Sequence, residues 1–164
     1  MEQQFRDYAS FNLWAHQTIC NTILEMDPQL CQQIVKSSFP NLYATVLHLW
    51  DAESIWWQRL KGHQQLLIPS QQFNPDMKEV INGLLDQAAE WKAWVDGATA
   101  ADLSATCSYT NLRGHTFHST VWEIILHLFN HGTYHRGQLV TMMRTLGLTD
   151  LPATDFIHWC RSHR

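Results

Sequence analysis

Residues 120–146 read TVWEIILHLFNHGTYHRGQLVTMMRTL, and the period of this stretch decides the fold. Its apolar residues recur at spacings of three and four, which is the period of a helix and not the alternation of a strand. With Gly147 as a stop, the spacing predicts a helix over 120–146. Within it Gly132 and Gly137 each cost about 1 kcal/mol of helix propensity against alanine. Polar Asn130, Thr133, Tyr134, Arg136 and Gln138 also interrupt what would otherwise be an apolar stripe. A locally unfavourable sequence often marks a functional site, although glycines can also simply let a neighbouring helix approach. His131 and His135 stand four apart on one helical face, with Cβ atoms about 5–6 Å from one another, a separation that two imidazoles can span to share one metal ion.

The same period extends through most of the chain. A helix over 4–26 carries Phe5, Tyr8, Phe11, Trp14, Ala15 and Ile19 on one side, and Asp27-Pro28 ends it. Ser37-Ser38-Phe39-Pro40 marks a boundary before a second helix over 41–61, for which Gly62 is the stop. Residues 63–73 form a glutamine-rich connection. Asn74-Pro75-Asp76 then reads as an N-cap, a first-turn proline and a dipole-compensating acid opening a third helix to 95. CSYTNLRGHTFHS (107–119) places β-branched and aromatic residues around Arg113-Gly114 and predicts a small hairpin within 104–119. A short terminal helix is expected over 154–161. Four long helices and a hairpin make an all-α four-helix bundle.

Composition narrows the functional classes. A chain of 164 residues with 45% hydrophobic and 16% charged residues supports one folded domain with a core, and its eight tryptophans should anchor that core or an interface. The net charge of −4, without a run of lysines or arginines, disfavours nucleic-acid binding. The N-terminal residues lack the pattern of a signal peptide and no stretch approaches the length of a membrane span, so a soluble cytoplasmic protein is expected. Cys20, Cys31, Cys107 and Cys160 stand far apart with no paired spacing and read as buried, reduced thiols.

Bundles build metal sites by pointing side chains inward from facing helices, which makes His48, in the second helix, a candidate third ligand for His131 and His135. Three neutral imidazoles leave a divalent ion with an open position, the composition of a working site. The opposing reading is that each histidine is a hydrogen-bonded core or surface residue. His127 extends the row, but the face drifts by about 80° over eight residues of a straight helix, so His127 reads as a neighbour. His16, His63, His115, His118, His158 and His163 have no partner at that spacing and read as surface, loop or capping residues. The intervening Gly132, Thr133 and Tyr134 supply no glutamate base. Asp51 lies one turn beyond His48 and could orient an imidazole or take a proton from bound water, with Glu53 two residues further; solvated acids on a helix face are the plainer reading of both. Tyr134, Asn130 and Gln138 are candidates for orienting substrate or water.

With these residues in view the chain resembles the DinB/YfiT-like family of helical-bundle proteins, which is distinct from the polymerase sharing the DinB name. The resemblance rests on FNLWAH at 11–16, SSFPNLYATVLHLWDAESIW at 37–56 and the run from Tyr109 through NLRGHTF and WEIILHLFNHGTYHRGQLVTMMRTLG to Thr154-Asp155, with NHGTYHRGQ the most specific piece. It implies an up-down-down-up bundle, usually dimeric, with a divalent metal on His48, His131 and His135. The family commonly has asparagine where His16 stands. Relatives resemble metal-dependent transferases acting on low-molecular-weight thiols such as bacillithiol or mycothiol, or metal-dependent hydrolases or isomerases, so the family supplies a site and not a reaction.

Two functional classes therefore stand beside each other. One is a metal-dependent enzyme of the thiol S-transferase or hydrolase type, with zinc or nickel first and iron, manganese or copper also compatible with three imidazoles. The other is a non-catalytic metal-binding module for stress response or interaction. A bundle with no metal is the blandest reading. A homodimer and a small-molecule thiol are the expected partners.

Overall fold

A computed structural model describes residues 2–111 and 113–163. In chain order the elements are α1 (Glu2–Leu24), a 3-10 helix (Pro28–Gln32), α2 (Leu42–Leu60), α3 (Pro69–Gln72), α4 (Met77–Gly97), α5 (Ala100–Ser104), β1 (Thr106–Thr110), β2 (Thr116–Thr120), α6 (Val121–Thr145) and α7 (Phe156–Ser162). The expected all-α bundle with a small hairpin and a short C-terminal helix is therefore what the chain forms.

Local chemistry sets the helix ends. Oδ1 of Asn41 accepts from the Ala44 amide at 2.8 Å to start α2, and Gly62 and Gly147, at φ +74° and +102°, take up the left-handed backbone that follows α2 and α6. The cap of α4 differs from expectation: Asp76, not Asn74, is the N-cap. Its carboxylate accepts from the Glu79 amide at 2.9 Å while Glu79 accepts from the Asp76 amide at 2.7 Å, a reciprocal capping box that outcompetes a start at the preceding asparagine. The 63–73 connection is not wholly irregular, since Pro69 at a first-turn position starts α3, and the short α5 was not expected. The hairpin pairs β1 and β2 antiparallel with Tyr109 opposite Phe117, and Gly114 turns at φ +82°.

Two buried clusters fix the directions of the long helices. One joins Ile19, Cys20 and Ile23 of α1, Leu42, Val46 and Leu49 of α2, Val80, Ile81 and Leu84 of α4, and Leu139, Met142 and Met143 of α6. The other joins Phe5 and Ala9, Trp91 and Val95, and Val121, Ile124, Ile125, Leu128 and Phe129, with Trp56, Trp57 and Leu60 packed against it. The C-terminal ends of α1 and α6 thus meet the N-terminal ends of α2 and α4, which is an up-down-down-up order. α1 and α2 each pack on α4 and α6, so they occupy opposite corners. Each fully buried Leu, Val or Phe contributes roughly 1.5–3 kcal/mol relative to exposure. Trp50 packs directly on Gly83, where an added Cβ would lie within 2.3 Å of the indole, so glycine is what lets α2 and α4 approach.

Of the tryptophans, Trp91 and Trp159 are buried and the others lie half-buried at the core's edge. Cys20 and Cys31 are buried and Cys107 and Cys160 half-buried, all four as free thiols. Burial pushes the Cys20 thiol up to about 12, which keeps it unreactive. Among the described residues no helix is long and apolar enough to cross a membrane.

Candidate metal centre

His48 comes from the middle of α2, and His131 and His135 from successive turns of α6, the helix that packs beside it. Nε2 of His131 lies 3.0 Å from Nε2 of His48 and 3.0 Å from Nε2 of His135. One nitrogen from each ring falls within 4.8 Å of the others, and these are the residues that the fold brings into a group able to hold a metal ion. A tetrahedral ion with nitrogen ligands at 2.0–2.1 Å would set those nitrogens about 3.3 Å apart, close to the two 3.0 Å separations from His131.

The protonation of the group also suits a cation. Nδ1–H of His135 donates to Oε1 of Gln138 at 2.8 Å, which leaves Nε2 of His135 as a lone pair facing the other rings. Burial is the first cause lowering the pKa of all three imidazoles. His131 is lowered to about 4 by desolvation and then by the charges that His135 and His48 would carry. His48 is lowered by desolvation and His135, with Asp51 opposing, and His135 by desolvation with Gln138 opposing. The rings are therefore neutral near pH 7, the form that ligates metals. Phe39, just ahead of α2, stacks on His48 with ring centres 4.4 Å apart.

The other expected site residues fall in different places. Gln138 accepts from Nδ1–H of the ligand candidate His135, and it donates in turn to Oγ of Ser38 at 2.7 Å. Tyr134 is exposed, its ring 5.0 Å from that of His135 and nearly perpendicular to it. Asn130 is exposed on α6. Oδ1 of Asp51 accepts from the Ser70 amide at 2.9 Å, which ties α2 to α3, although its charge still reaches His48. His127 is exposed, its ring 6.1 Å from His131 and 5.4 Å from Trp56, and it is not in the three-histidine group.

Two sequence expectations are corrected behind the triad. His16 is neither surface nor cap, and Glu53 is not a solvated acid: they are 1% and 2% exposed, at the centre of a buried polar network. Oε1 of Glu53 is 3.0 Å from Nε2 of His16 and accepts from Nδ2 of Asn12 at 3.0 Å. Nη1 of Arg136 donates to Oδ1 of Asn12 at 2.7 Å, and Nη2 donates to Oγ1 of Thr133 at 2.9 Å. Oε2 of Glu53 is buried without a hydrogen-bond partner among the described residues. Desolvation, reinforced by the Arg136 charge, lowers the His16 pKa against the opposing hydrogen bond and charge of Glu53. Burial brings Arg136 down to about 10, still charged at pH 7, with the Glu53 carboxylate raising it. Gly132 makes room for this network, since a Cβ there would lie 3.0 Å from both Nη1 of Arg136 and Oδ1 of Asn12. The charged Arg136 next to a histidine pair was the available sequence signal, but nothing local pointed to its partners.

The family model described as DinB family matches residues 1–162. The chain belongs to the DinB family. It is 25% identical over 153 residues to Protein DinB of Bacillus subtilis (strain 168), covering 89% of this chain and 87% of that one. Among solved structures, it resembles a DinB-like protein from Bacillus cereus ATCC 10987, with a TM-score of 0.63 and 17% identity over 85% of this chain and 89% of the other. At that identity the likeness concerns the DinB fold alone.

Proposed function

We propose that this DinB-family protein is a metal-dependent enzyme of the thiol S-transferase or hydrolase type, with His48, His131 and His135 as ligands of a divalent ion that keeps an open position. The observation that carries this reading is the convergence of three neutral Nε2 atoms from two helices. When bound, such an ion lowers the pKa of a thiol or water, supplying a thiolate or hydroxide near neutral pH. In this reading the Gln138 amide fixes the His135 tautomer, the Phe39 ring covers His48, and Tyr134 and Asn130 meet substrate on the open side of α6. Among the described residues no carboxylate joins the histidine group, and Oδ1 of Asp51 is engaged by Ser70. That supports a thiol over water, because a thiol of pKa about 8.5 needs a much smaller shift than water to ionise at pH 7. Zinc or nickel heads the candidates, with iron, manganese and copper compatible.

The same reading takes residues 1–164 as one domain acting as a cytoplasmic homodimer, the dimer being testable by light scattering on the purified protein. Elemental analysis of protein purified without a histidine tag should find a stoichiometric divalent metal that His131→Ala lacks. Metal-loaded protein should then consume thiol in the presence of an electrophile. The missing carboxylate also favours a second reading, a non-catalytic metal-binding module for stress response or interaction. In that case chelation lowers Tm while thiol-transfer, ester and amide assays all stay blank.

A further inference from the structure

Arg59, near the end of α2, has its guanidinium carbon 4.6 Å from the centre of the Trp56 ring and 5.0 Å from that of Tyr109. Since Tyr109 lies on β1, the cation is held between helix and hairpin. Nε is buried with no hydrogen-bond partner, and among the described residues no carboxylate pairs with Arg59.

Beside Arg59 opens a cavity of about 520 Å³ whose lining, among the described residues, includes His63, Gln71, Ser108, Thr110 and Asn111 and no aspartate or glutamate. Oδ1 of Asn111 already accepts from the Arg113 and His115 amides, so its Nδ2 is left as a donor. The cavity therefore offers one fixed cation, several polar donors and no competing negative charge. The Trp56 and Tyr109 rings meet edge to face, 4.9 Å apart at 75°, and their contact with the guanidinium limits the rotamer entropy that binding would otherwise remove.

We propose that this cavity is a binding site for the anionic end of a small molecule, a carboxylate or a phosphate, with the Arg59 guanidinium as its anchor. Charge-assisted bonds to a guanidinium fork are the strong class for both groups. The site rests on its own residues and not on the metal reading. It nevertheless shares the α2 face of His48, about 16 Å along the helix axis at 1.5 Å per residue. Trp56, His127 and His131 form a line of neighbouring rings between them, with centres 5.4 and 6.1 Å apart.

The test is a titration with inorganic phosphate and, separately, with succinate, at constant ionic strength set by chloride, followed by NMR of the Arg59 Nε–H and Trp56 indole N–H. Saturable shifts are expected with at least one of the two anions, and which one saturates assigns the group as phosphate or carboxylate. Arg59→Gln should weaken binding at least tenfold. Because that change also removes the contact with the rings, Gln71→Glu provides a second arm, placing a carboxylate in the cavity from an exposed position of α3 while leaving Arg59 against Trp56 and Tyr109. It too should weaken binding at least tenfold. Shifts that stay linear for both anions, or saturation unchanged in Gln71→Glu, overturn the proposal. His131→Ala should bind as the unchanged protein does; loss of saturation there would place the anion at the histidines and overturn the site at Arg59.

Discussion

Gln138 holds His135 across one turn of α6, Nδ1–H to Oε1 at 2.8 Å, and is itself held by Ser38 at 2.7 Å. The pair ties the orientation of an α6 imidazole to the segment that leads into α2. It also links the two histidine-bearing helices at the place where their ring nitrogens meet.

Gln138→Ala should lower metal affinity by about 10–100-fold, the usual cost of removing a partner that orients a ligating imidazole. The Tm of the metal-free protein should change little, because Gln138 is only half-buried. Competition against a chromophoric chelator measures the affinity, and an unchanged constant would show that His135 needs no such support.

The two α6 glycines should respond to alanine with opposite signs. At Gly137 a Cβ meets nothing within 4 Å, so Gly137→Ala gains helix propensity and should stabilise by up to about 1 kcal/mol. At Gly132 the Cβ would press on Arg136 and Asn12 at 3.0 Å, and both are locked in the buried network. Gly132→Ala should therefore destabilise by about 1–3 kcal/mol, as overpacking does. Urea denaturation of the two variants decides this, and equal signs would contradict it.

Metal-free protein should lose stability as the pH falls below about 6.5. Desolvation lowers the folded pKa of His16, His48, His131 and His135, so below the unfolded value the unfolded chain takes up protons that the folded one refuses. Their contribution is complete above the unfolded pKa and is lost as pH falls, for His131 until about 4. Urea midpoints at pH 7.5, 6.5 and 5.5 should fall in that order, and a flat profile would count against buried neutral imidazoles.

Glu53→Gln keeps the shape of the side chain but removes the carboxylate that faces buried Arg136 through Asn12. The uncompensated guanidinium should cost on the order of 3 kcal/mol. Thermal unfolding measures it, and the Glu53→Gln/Arg136→Met double variant should recover part of the loss if the charges are coupled.

The four long helices and the hairpin were legible because their signals are local: an apolar period, Ser37-Ser38-Phe39-Pro40 at a boundary, Gly62 and Gly147 as stops, Arg113-Gly114 at a turn. Where two local signals competed, as at Asn74 and Asp76, the reciprocal bonds with Glu79 decided. The three histidines were legible for a similar reason, since the i, i+4 pair is a helix property and His48 lay in a helical stretch.

Sequence alone thus determined the bundle, its family and the candidate triad, because helix period, caps and motif spacing depend on residues a few positions apart. Tertiary structure alone decided that His16 and Glu53 are buried, that Gly132 is space for Arg136, that Gln138 serves His135, and that Arg59 lies against both Trp56 and Tyr109. For most of these residues the neighbours come from other elements, 37 positions away for His16 and Glu53 and 124 for Asn12 and Arg136. Whether a polar side chain is solvated or buried is set by such neighbours, and only packing the helices together supplies them.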